Sequence, residues 1–353
     1  MGEIRLMKGN EAMAEAAIRA GCQAYFGYPI TPQSEVLEYL SKEMVERGGV
    51  VLQAESEVAS INMVYGAAGA GARTMTSSSS PGISLMQEGL SYIAAAELPC
   101  LVVNVQRGGP GLGTIQPSQA DYFQATKGGG HGDYHLIVLA PNSVQEMSDF
   151  VYDGFDLADK YRNPVMILAD GALGQMMEKV EFKDYDPSKR QTPKWATTGK
   201  TKDRERNIIT SLYIQPERME VQNKILQEKY AKVCENEVRY ESIQTEDADY
   251  VIVAYGLSAR ISHKAQQLMR KSGLKVGLLR PQTLYPYPYQ IINKLADKAK
   301  SFLVVEMNAG QMVEDVRLAV NGKKDVHFFG KMGGIIPSPE DVIIELNNII
   351  KKS

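Results

Sequence analysis

Residues 22–71 read CQAYFGYPITPQSEVLEYLSKEMVERGGVVLQAESEVASINMVYGAAGAG and contain two strand-to-helix units in succession. An apolar run over 22–28 leads through two prolines into an amphipathic segment over 32–47. A second run over 50–54 leads into a segment over 57–70 that is rich in alanine and glycine. Short apolar runs that alternate with longer helical patterns are typical of βα units on a parallel sheet. This stretch therefore predicts an open α/β fold.

The same alternation continues on both sides of a polar interval and divides the chain into three parts. Further strands of the first part are expected at 73–77, 101–106, 136–140 and 165–170, with helices at 10–20, 83–95 and 144–161. Residues 182–249 are polar and carry one helical pattern, from 216 to about 235, before the alternation resumes at residue 250. We predict a parallel-sheet domain over 1–181, a linker with one helix over 182–249 and a smaller α/β domain over 250–353.

Composition excludes several classes of protein. The 353 residues are 44% hydrophobic and 23% charged, as in ordinary globular proteins. With 39 Lys and Arg against 42 Asp and Glu, the net charge is −3, which gives no global attraction for nucleic acid or an anionic membrane. The N-terminus has no apolar stretch behind a basic start, and no run approaches 18 apolar residues. We therefore expect neither a signal peptide nor a transmembrane helix.

The three cysteines, Cys22, Cys100 and Cys234, are odd in number and far apart. This usage favours a reducing compartment, the cytoplasm, over a disulfide framework. Because the chain has no CxxC, any 4Fe–4S clusters that its chemistry requires would be bound by another polypeptide.

Two glycine-rich loops follow expected strands, but neither has the spacing of a nucleotide-binding motif. The loops at 108–113 and 128–132 both depart from GxGxxG. We interpret them either as tight turns or as walls of a site at the carboxyl ends of the strands. His131 and His135 have the i,i+4 spacing of metal ligands, yet the neighbouring glycines disfavour a helix. We expect loop histidines, with His131 a candidate pocket wall, and no metal site.

Three polar residues stand at expected strand ends. The YPITP turn at 28–32 fixes the direction of Thr31, which is either a site residue or a helix N-cap. Glu57 opens a helix, where it either favours the helix dipole or contacts a bound heterocycle. Arg107 follows the strand at 101–106 and either binds a substrate carboxylate or forms a surface ion pair.

In this order, YPITP at 28–32, ESE at 55–57 and QRGGP at 106–110 resemble the 2-oxoacid:ferredoxin oxidoreductase family. Further matching segments are SPGISLM at 80–86, GGHG at 129–132 and EMNAGQ at 306–311. The resemblance covers nearly the whole chain. It is to the subunit with the pyrimidine-type domain of thiamin diphosphate enzymes, followed by a transketolase C-terminal-like domain. GTIQPS at 113–118 and the chain length look most like the 2-ketoisovalerate type of the family.

The resemblance implies a role for each candidate residue. Glu57 would hydrogen-bond N1′ of the aminopyrimidine of thiamin diphosphate, with Glu55 as the rival carboxylate for that role. Thr31 and Arg107 match positions that contact the carbonyl and carboxylate of the 2-oxoacid, and His131 would also bind substrate. The other candidate cofactor-binding residues are Tyr28, Pro29, Ile30, Ser80 and Gly82. The implied reaction is oxidative decarboxylation of a 2-oxoacid with coenzyme A, which yields acyl-CoA, CO2 and reduced ferredoxin.

The sequence also lacks parts that such an enzyme needs. The GDG-plus-Asn motif that holds Mg2+ and pyrophosphate is absent, as are the cluster cysteines. The resemblance therefore implies a heteromer with two copies of this chain, which alone would be inactive. Its partners would be a thiamin-pyrophosphate-binding subunit, an iron–sulfur ferredoxin-like subunit and a γ subunit, with ferredoxin as the electron acceptor.

Three alternatives remain open at the level of sequence. The first is the same reaction on 2-oxoglutarate or pyruvate. The second is the β subunit of a lipoamide-linked 2-oxoacid dehydrogenase complex, against which YPITP and EMNAGQ count. The third is a non-catalytic scaffold, against which the joint presence of Thr31, Glu57 and Arg107 counts.

Overall fold

The structure is a computed structural model, and it describes residues 3–200 and 202–352. Its helices are α1 (Gly9–Arg19), α2 (Ser34–Glu46), α3 (Glu57–Gly69), α4 (Ser80–Ala95), α5 (Tyr122–Thr126), α6 (Val144–Tyr161), α7 (Gly171–Gln175), α8 (Pro216–Asn236), α9 (Gly256–Lys271), α10 (Tyr289–Leu295), α11 (Met312–Val320) and α12 (Pro339–Lys352). A 3₁₀ turn spans Pro187–Lys189. Within the described residues, no helix combines the length and apolar character needed to cross a membrane.

The strands form one large and two smaller sheets. They are β1 (Ile4–Lys8), β2 (Ala24–Gly27), β3 (Val50–Gln53), β4 (Thr74–Ser78), β5 (Cys100–Gln106), β6 (Ile137–Leu139), β7 (Pro164–Asp170), β8 (Met177–Glu181), β9 (Tyr240–Ile243), β10 (Tyr250–Val253), β11 (Val276–Pro281), β12 (Thr283–Tyr285), β13 (Ser301–Glu306) and β14 (Asp325–Gly330). The sheet orders are β12-β6-β7-β5-β4-β2-β3, β14-β13-β10-β11-β9 and β1-β8.

The seven-stranded sheet is parallel except for β12, which pairs antiparallel with β6. Its central strands β5 and β7 are buried along their whole length, which explains why both are largely apolar. The carboxyl ends of β2, β3, β4 and β5 lead into the YPITP turn, Glu57, Ser80 and Arg107. Parallel pairing brings these four chain segments to the same edge of the sheet.

The five-stranded sheet is built around β10, which pairs parallel with β11 and β13. The antiparallel strand β9 closes one edge, and β1 pairs antiparallel with β8 in a separate ribbon. The predicted α/β class with parallel sheets is confirmed, and every strand and helix expected above is present within a few residues.

Four strands were missed from the sequence. β1, β8 and β9 are short edge strands with largely exposed residues, so they show no buried pattern. β12 begins two residues after β11 ends and joins the sheet of the other unit, which no local pattern reveals. Because β9 lies in the predicted linker and β12 crosses between the two units, the domain boundaries at 181 and 250 stay a proposal.

One apolar core joins the two α/β units. It includes Val102 and Met166 under the large sheet, and Tyr255, Phe302 and Val316 of the second unit. A separate cluster lies on the other face of the large sheet beneath α1, α2 and α6, and a third packs α9 and α12 on the small sheet. The shared core fixes the second unit against the first, on the side where α3 and α4 lie.

Candidate active site

Thr31 and Arg107 lie together at the carboxyl ends of β2 and β5. The Arg107 guanidinium donates through Nη1 to the carbonyl of Thr31, with 3.0 Å between the atoms. Helix α2 begins at Ser34 with Gln33 as its N-cap, so Thr31 is not the helix cap. No ion pair among the described residues includes Arg107, so the guanidinium remains able to bind an anion.

The turn that carries Thr31 is fastened to two neighbouring helices. The carbonyl of Pro32 accepts from Asn10 Nδ2 at 2.8 Å and from Gln175 Nε2 at 3.2 Å. A Cβ on Gly171 would lie 2.9 Å from Cγ of Pro32, so the start of α7 also approaches the turn closely. These contacts hold the exposed Thr31 above a tightly packed base.

The glycine loop after Arg107 folds back on itself. Arg107 forms an isolated antiparallel bridge with Pro117, and the Arg107 Nη2 donates to the carbonyl of Leu112 at 3.0 Å. Gly113 has φ of +61°, and a Cβ there would come within 1.8 Å of the Gly108 carbonyl. Glycine is therefore required at 113, and the loop acts as a frame around the Arg107 side chain.

Glu57 is the first residue of α3 and is buried, with 5% of its surface exposed, whereas Glu55 is exposed. Among the described residues, Oε1 of Glu57 has one hydrogen-bond donor, the Ser78 hydroxyl, at a long distance of 3.4 Å. No ion pair among the described residues includes Glu57. A buried carboxylate with so little neutralisation is costly unless a ligand completes its hydrogen bonding. The burial of Glu57 favours it over Glu55 as the residue that contacts the pyrimidine.

The helix after β4 is shaped to admit the Glu57 side chain. A Cβ on Gly82 would lie 2.0 Å from the Ser78 hydroxyl and 2.4 Å from Oε1 of Glu57. Any larger residue at 82 would displace the carboxylate, so Gly82 forms a cradle for it. No hydrogen bond between described residues joins Ser80 to Glu57. Its hydroxyl donates to the Asp121 carboxylate at 2.5 Å and accepts from the Arg107 backbone N–H at 3.0 Å.

A cavity of about 380 Å3 opens beside Thr31. Its walls come from the YPITP turn, the segment that follows the glycine loop, α7 and the second unit: Thr31, Pro32, Ile115, Gln116, Pro117, Gly171, Ala172, Gln175 and Ile336. None of these lining residues carries a charge, so an apolar group fits this space better than an ionised one.

His131 lies in an exposed bend, and no hydrogen bond between described residues includes its ring. The loop that carries it packs on α4, where a Cβ on Gly129 would lie 2.4 Å from Oε1 of Gln87. His135 points elsewhere, since it stacks on Tyr285 with 4.3 Å between ring centroids, and burial lowers its pKa. The substrate-binding role of His131 therefore stays a prediction without a contact to support it.

Tyr28 and Pro29 are exposed on the rim of the site, and Ile30 is half-buried. They share a chain segment with Thr31, but the structure gives them no polar contact with Glu57, Ser80 or Gly82. Two residues that the sequence did not single out do make such contacts. Ser78 donates to Glu57, and Asp121 binds Ser80. A signal for Ser78 was present in the four consecutive serines at 77–80, unusual for a buried strand end.

The site residues fit the pyrimidine half of thiamin diphosphate. Glu57 offers a buried carboxylate next to a glycine cradle, and Arg107 has a buried Nε with no hydrogen-bond partner among the described residues. The Glu57 carboxylate can hold a proton on a ring nitrogen. The Arg107 guanidinium can bind a carboxylate.

Comparison with known proteins identifies the class. The family model described as pyruvate flavodoxin/ferredoxin oxidoreductase, thiamine diphosphate-binding, matches residues 15–255. A second, described as pyruvate:ferredoxin oxidoreductase core domain II, matches residues 248–342. The chain belongs to the 2-oxoacid:ferredoxin oxidoreductase family and is a thiamin-diphosphate-dependent oxidoreductase subunit of that class.

Within the family, the chain is similar over its full length to two named kinds of subunit. It is 51% identical to the ketoisovalerate oxidoreductase subunit VorB of Methanothermobacter marburgensis, over 99% of both chains. It is 36% identical to the 2-oxoglutarate synthase subunit KorA of Methanothermobacter thermautotrophicus, again over 99% of both.

Solved structures agree on the fold. The 2-oxoglutarate:ferredoxin oxidoreductase of Magnetococcus marinus, solved with 2-oxoglutarate, coenzyme A and succinyl-CoA bound, superimposes with a TM-score of 0.86 at 30% identity. The match covers 99% of this chain and 66% of that one. A split-gene transketolase in an inactive β4 tetramer shares the fold with a TM-score of 0.61 at 12% identity.

Proposed function

We propose that this chain binds the pyrimidine half of thiamin diphosphate and the substrate in a heteromeric 2-ketoisovalerate:ferredoxin oxidoreductase. The reaction converts the branched-chain 2-oxoacid and coenzyme A to acyl-CoA and CO2 and reduces ferredoxin. One observation carries the proposal: buried Glu57 and the joined pair of Thr31 and Arg107 lie at one edge of the large sheet.

Thiamin diphosphate supplies the electron sink that makes loss of CO2 from a 2-oxoacid feasible. Toward that group, the Glu57 carboxylate would hold a proton at the pyrimidine N1′, where burial strengthens the interaction. The Gly82 cradle sets the position of the carboxylate, and among the described residues only Ser78 donates a hydrogen bond that competes for it.

Arg107 and Thr31 would hold the substrate. The guanidinium matches a carboxylate in charge and geometry, and it is already fixed by the carbonyls of Thr31 and Leu112. The hydroxyl of Thr31, on the same turn, can donate to the keto oxygen. Together they would orient the bond to the carboxylate before it breaks.

The uncharged cavity beside Thr31 supports a branched-chain substrate. Ile115, Pro117 and Ile336 offer an apolar surface for an isopropyl group. The second carboxylate of 2-oxoglutarate would find no cation among the lining residues, and an unpaired charge in such a space is disfavoured. The similarity to VorB points to the same substrate class.

The surface near Glu57 is suited to a partner subunit. α3 is apolar on nearly all sides, and Val50, Leu52, Val58 and Leu85 of β3, α3 and α4 are 43–55% exposed. Exposed apolar residues of this size around a site commonly mark an interface. We assign this surface to the subunit that carries Mg2+ and the pyrophosphate half of the cofactor. An iron–sulfur subunit, a γ subunit and a second copy of this chain complete the proposed assembly in the cytoplasm.

The test is anaerobic isolation of this chain with its co-purifying subunits, followed by an assay of coenzyme-A-dependent viologen reduction. The substrates are 2-ketoisovalerate, pyruvate, 2-oxoglutarate and an aryl pyruvate at equal concentration. We expect the highest kcat/KM for 2-ketoisovalerate.

Two outcomes contradict parts of the proposal. A preference for another 2-oxoacid would retain the mechanism and overturn the substrate. Co-purification of a lipoyl-bearing acyltransferase without viologen reduction would overturn the ferredoxin-linked reaction.

A further inference from the structure

The EMNAGQ segment at 306–311 lies in the second unit, at the end of β13 and before α11, yet it binds the first unit. Its contacts converge on the turn formed by residues 118–123, which follows the glycine loop of Arg107. Glu306 is fully buried and organises the segment from within. Its carboxylate accepts backbone N–H groups of Met312 at 2.8 Å and Val313 at 3.0 Å, and the amide of Asn308 at 2.9 Å.

Gln119 is the centre of the contact between the two units. Its backbone N–H donates to the Met307 carbonyl at 3.0 Å, and its own carbonyl accepts from Asn308 Nδ2 at 2.7 Å. Its side chain donates to the Tyr255 carbonyl at 2.8 Å and accepts from the Ser258 hydroxyl at 2.6 Å. Every polar atom of this buried residue is therefore satisfied by the second unit.

Gln311 holds the next part of the turn. Its Nε2 donates to the carbonyl of Ala120 at 2.8 Å, and its Oε1 accepts the backbone N–H of Phe123 at 2.8 Å. One side chain thus spans the two positions between them, Asp121 and Tyr122. The hydroxyl of Tyr122 donates to Asp315 at 2.6 Å, which ties the start of α5 to α11.

Asp121 carries this anchoring to the substrate site. One carboxylate oxygen accepts from the Ser80 hydroxyl at 2.5 Å and from Asn104 Nδ2 at 2.8 Å. Ser80 in turn accepts the backbone N–H of Arg107 at 3.0 Å, and the Arg107 guanidinium donates to Thr31 at 3.0 Å. These hydrogen bonds, linked by the backbone of residues 120–123 and by Arg107 itself, therefore connect the second unit to both proposed substrate-binding residues.

We propose that the 306–311 segment of the second unit positions Arg107 for the substrate carboxylate, through Gln311 and the positioning residue Asp121. The proposal rests on the proposed function. It gives the second unit a role in substrate binding although it contributes no group to the carboxylate itself. Buried hydrogen-bond networks of this kind favour one arrangement of the groups they hold, and displacements of about 1 Å are enough to weaken a binding site.

The first variant removes the contact between Gln311 and the turn at 118–123. In the isolated complex, Gln311→Ala loses both hydrogen bonds to the turn but leaves every substrate-contacting group in place. We expect a roughly tenfold rise in KM for the 2-oxoacid, with kcat within about twofold and an unchanged KM for coenzyme A, since the lost precision concerns ground-state binding of the carboxylate.

The matched control is Gln266→Ala. Gln266 is a fully buried glutamine of the second unit, whereas Gln311 is half-buried, and the hydrogen bonds of Gln266 among the described residues are to Gln244 and to the Val276 carbonyl. Gln266→Ala should lower thermal stability at least as much as Gln311→Ala without changing the KM for the 2-oxoacid.

The Asp121 pair provides an independent second test. Asp121→Ala should raise the same KM as Gln311→Ala, whereas Asp121→Asn should restore it, because an amide oxygen can still accept from Ser80 and Asn104. If Gln311→Ala fails to assemble, the comparison of Asp121→Ala with Asp121→Asn tests the inference.

The inference is overturned if the wild-type complex oxidises a 2-oxoacid while both alanine variants show the KM of Gln266→Ala. It is also overturned if Asp121→Asn is as impaired as Asp121→Ala. A wild-type complex with no 2-oxoacid turnover would instead contradict the proposed function.

Discussion

Arg107 donates through two guanidinium nitrogens to the carbonyls of Thr31 and Leu112, at 3.0 Å each. Both acceptors are backbone atoms, so the side chain is oriented without having its charge neutralised. This arrangement distinguishes it from the surface ion pair that was the alternative interpretation of the sequence. A fixed, unneutralised guanidinium is prepared to bind a carboxylate at low cost in side-chain entropy.

Replacement of Arg107 by lysine keeps the charge and removes the planar fork. We expect at least a tenfold rise in KM for the 2-oxoacid, because an ammonium group cannot hold both backbone carbonyls and the substrate carboxylate. Steady-state kinetics of the assembled complex measure this, and an unchanged KM would show that the substrate carboxylate binds elsewhere.

The uncharged cavity beside Thr31 offers a prediction about specificity. Ile336→Ala removes apolar surface from the second unit's wall of the cavity. We expect the ratio of kcat/KM for 2-ketoisovalerate over pyruvate to fall roughly three- to tenfold, near the lower bound for loss of a hydrophobic contact. The control is Ile344→Ala, an exposed isoleucine on α12 that does not line the cavity. Equal ratios in the two variants would contradict the assignment.

At the level of elements, Asp170 ends β7 and is the N-cap of α7, next to this cavity. Its Oδ1 accepts the backbone N–H groups of Ala172 at 3.0 Å and Leu173 at 3.1 Å. Burial raises the pKa of this carboxyl to about 6, although hydrogen bonds from three backbone N–H groups, including that of Leu257 in α9, act in the opposite direction. Asp170 therefore joins the two units, and the free energy that its burial costs depends on pH.

The raised pKa of Asp170 determines whether stability rises or falls with pH. A carboxyl whose pKa is raised on folding stabilises the folded state at low pH and loses that contribution as the pH rises through the folded value. From pH 7 to pH 4, we expect the free energy of unfolding of the wild type to increase by about 2 to 3 kcal/mol relative to Asp170→Asn. Denaturant titrations of both proteins measure this difference. A constant difference across the range would contradict it.

The elements also show what local sequence could and could not reveal. Long helices such as α6 and buried strands such as β5 and β7 have clear periodic or continuous apolar patterns, and their predicted positions are confirmed within a residue or two. β12 could not be found in the same way, because it pairs with β6, from which it is separated by more than 140 residues. β12 has only three residues, which is too few to show a hydrophobic periodicity.

At the scale of the whole molecule, we propose that a partner subunit covers the surface around Glu57. Leu85 is 54% exposed on α4 and Val58 is 45% exposed on α3, directly after Glu57. Aspartate at either position would place a charge in the proposed interface with the pyrophosphate-binding subunit.

We therefore expect Leu85→Asp to reduce retention of that subunit at least tenfold in affinity purification or size-exclusion chromatography, with the chain still folded. Ile344→Asp, which adds the same charge on α12 of the second unit, is the control. Equal retention by the two variants would place the partner on another surface.

Much of the site could be anticipated from single positions, because Thr31, Glu57, Ser80 and Arg107 each follow a strand of the same sheet. What the sequence could not supply was their mutual contacts. The link from Asp121 to Ser80 joins residues 41 positions apart, and the contacts of Gln119 with Met307 and Asn308 join residues 188 and 189 positions apart. His131 had the same kind of local signal as the others, yet it lies exposed, and no hydrogen bond between described residues includes its ring. Motif matches place residues in loops, and only the packed fold determines which loops meet.

The central claim is that Glu57 acts on the cofactor from its buried position at the start of α3. The most direct measurement is turnover of the assembled complex with Glu57→Gln, with Glu55→Gln as the matched control two residues away on the exposed side. We predict that Glu57→Gln assembles normally and loses roughly 10²- to 10⁴-fold in kcat, whereas Glu55→Gln retains wild-type activity. An assembled Glu57→Gln complex with wild-type turnover would contradict the account.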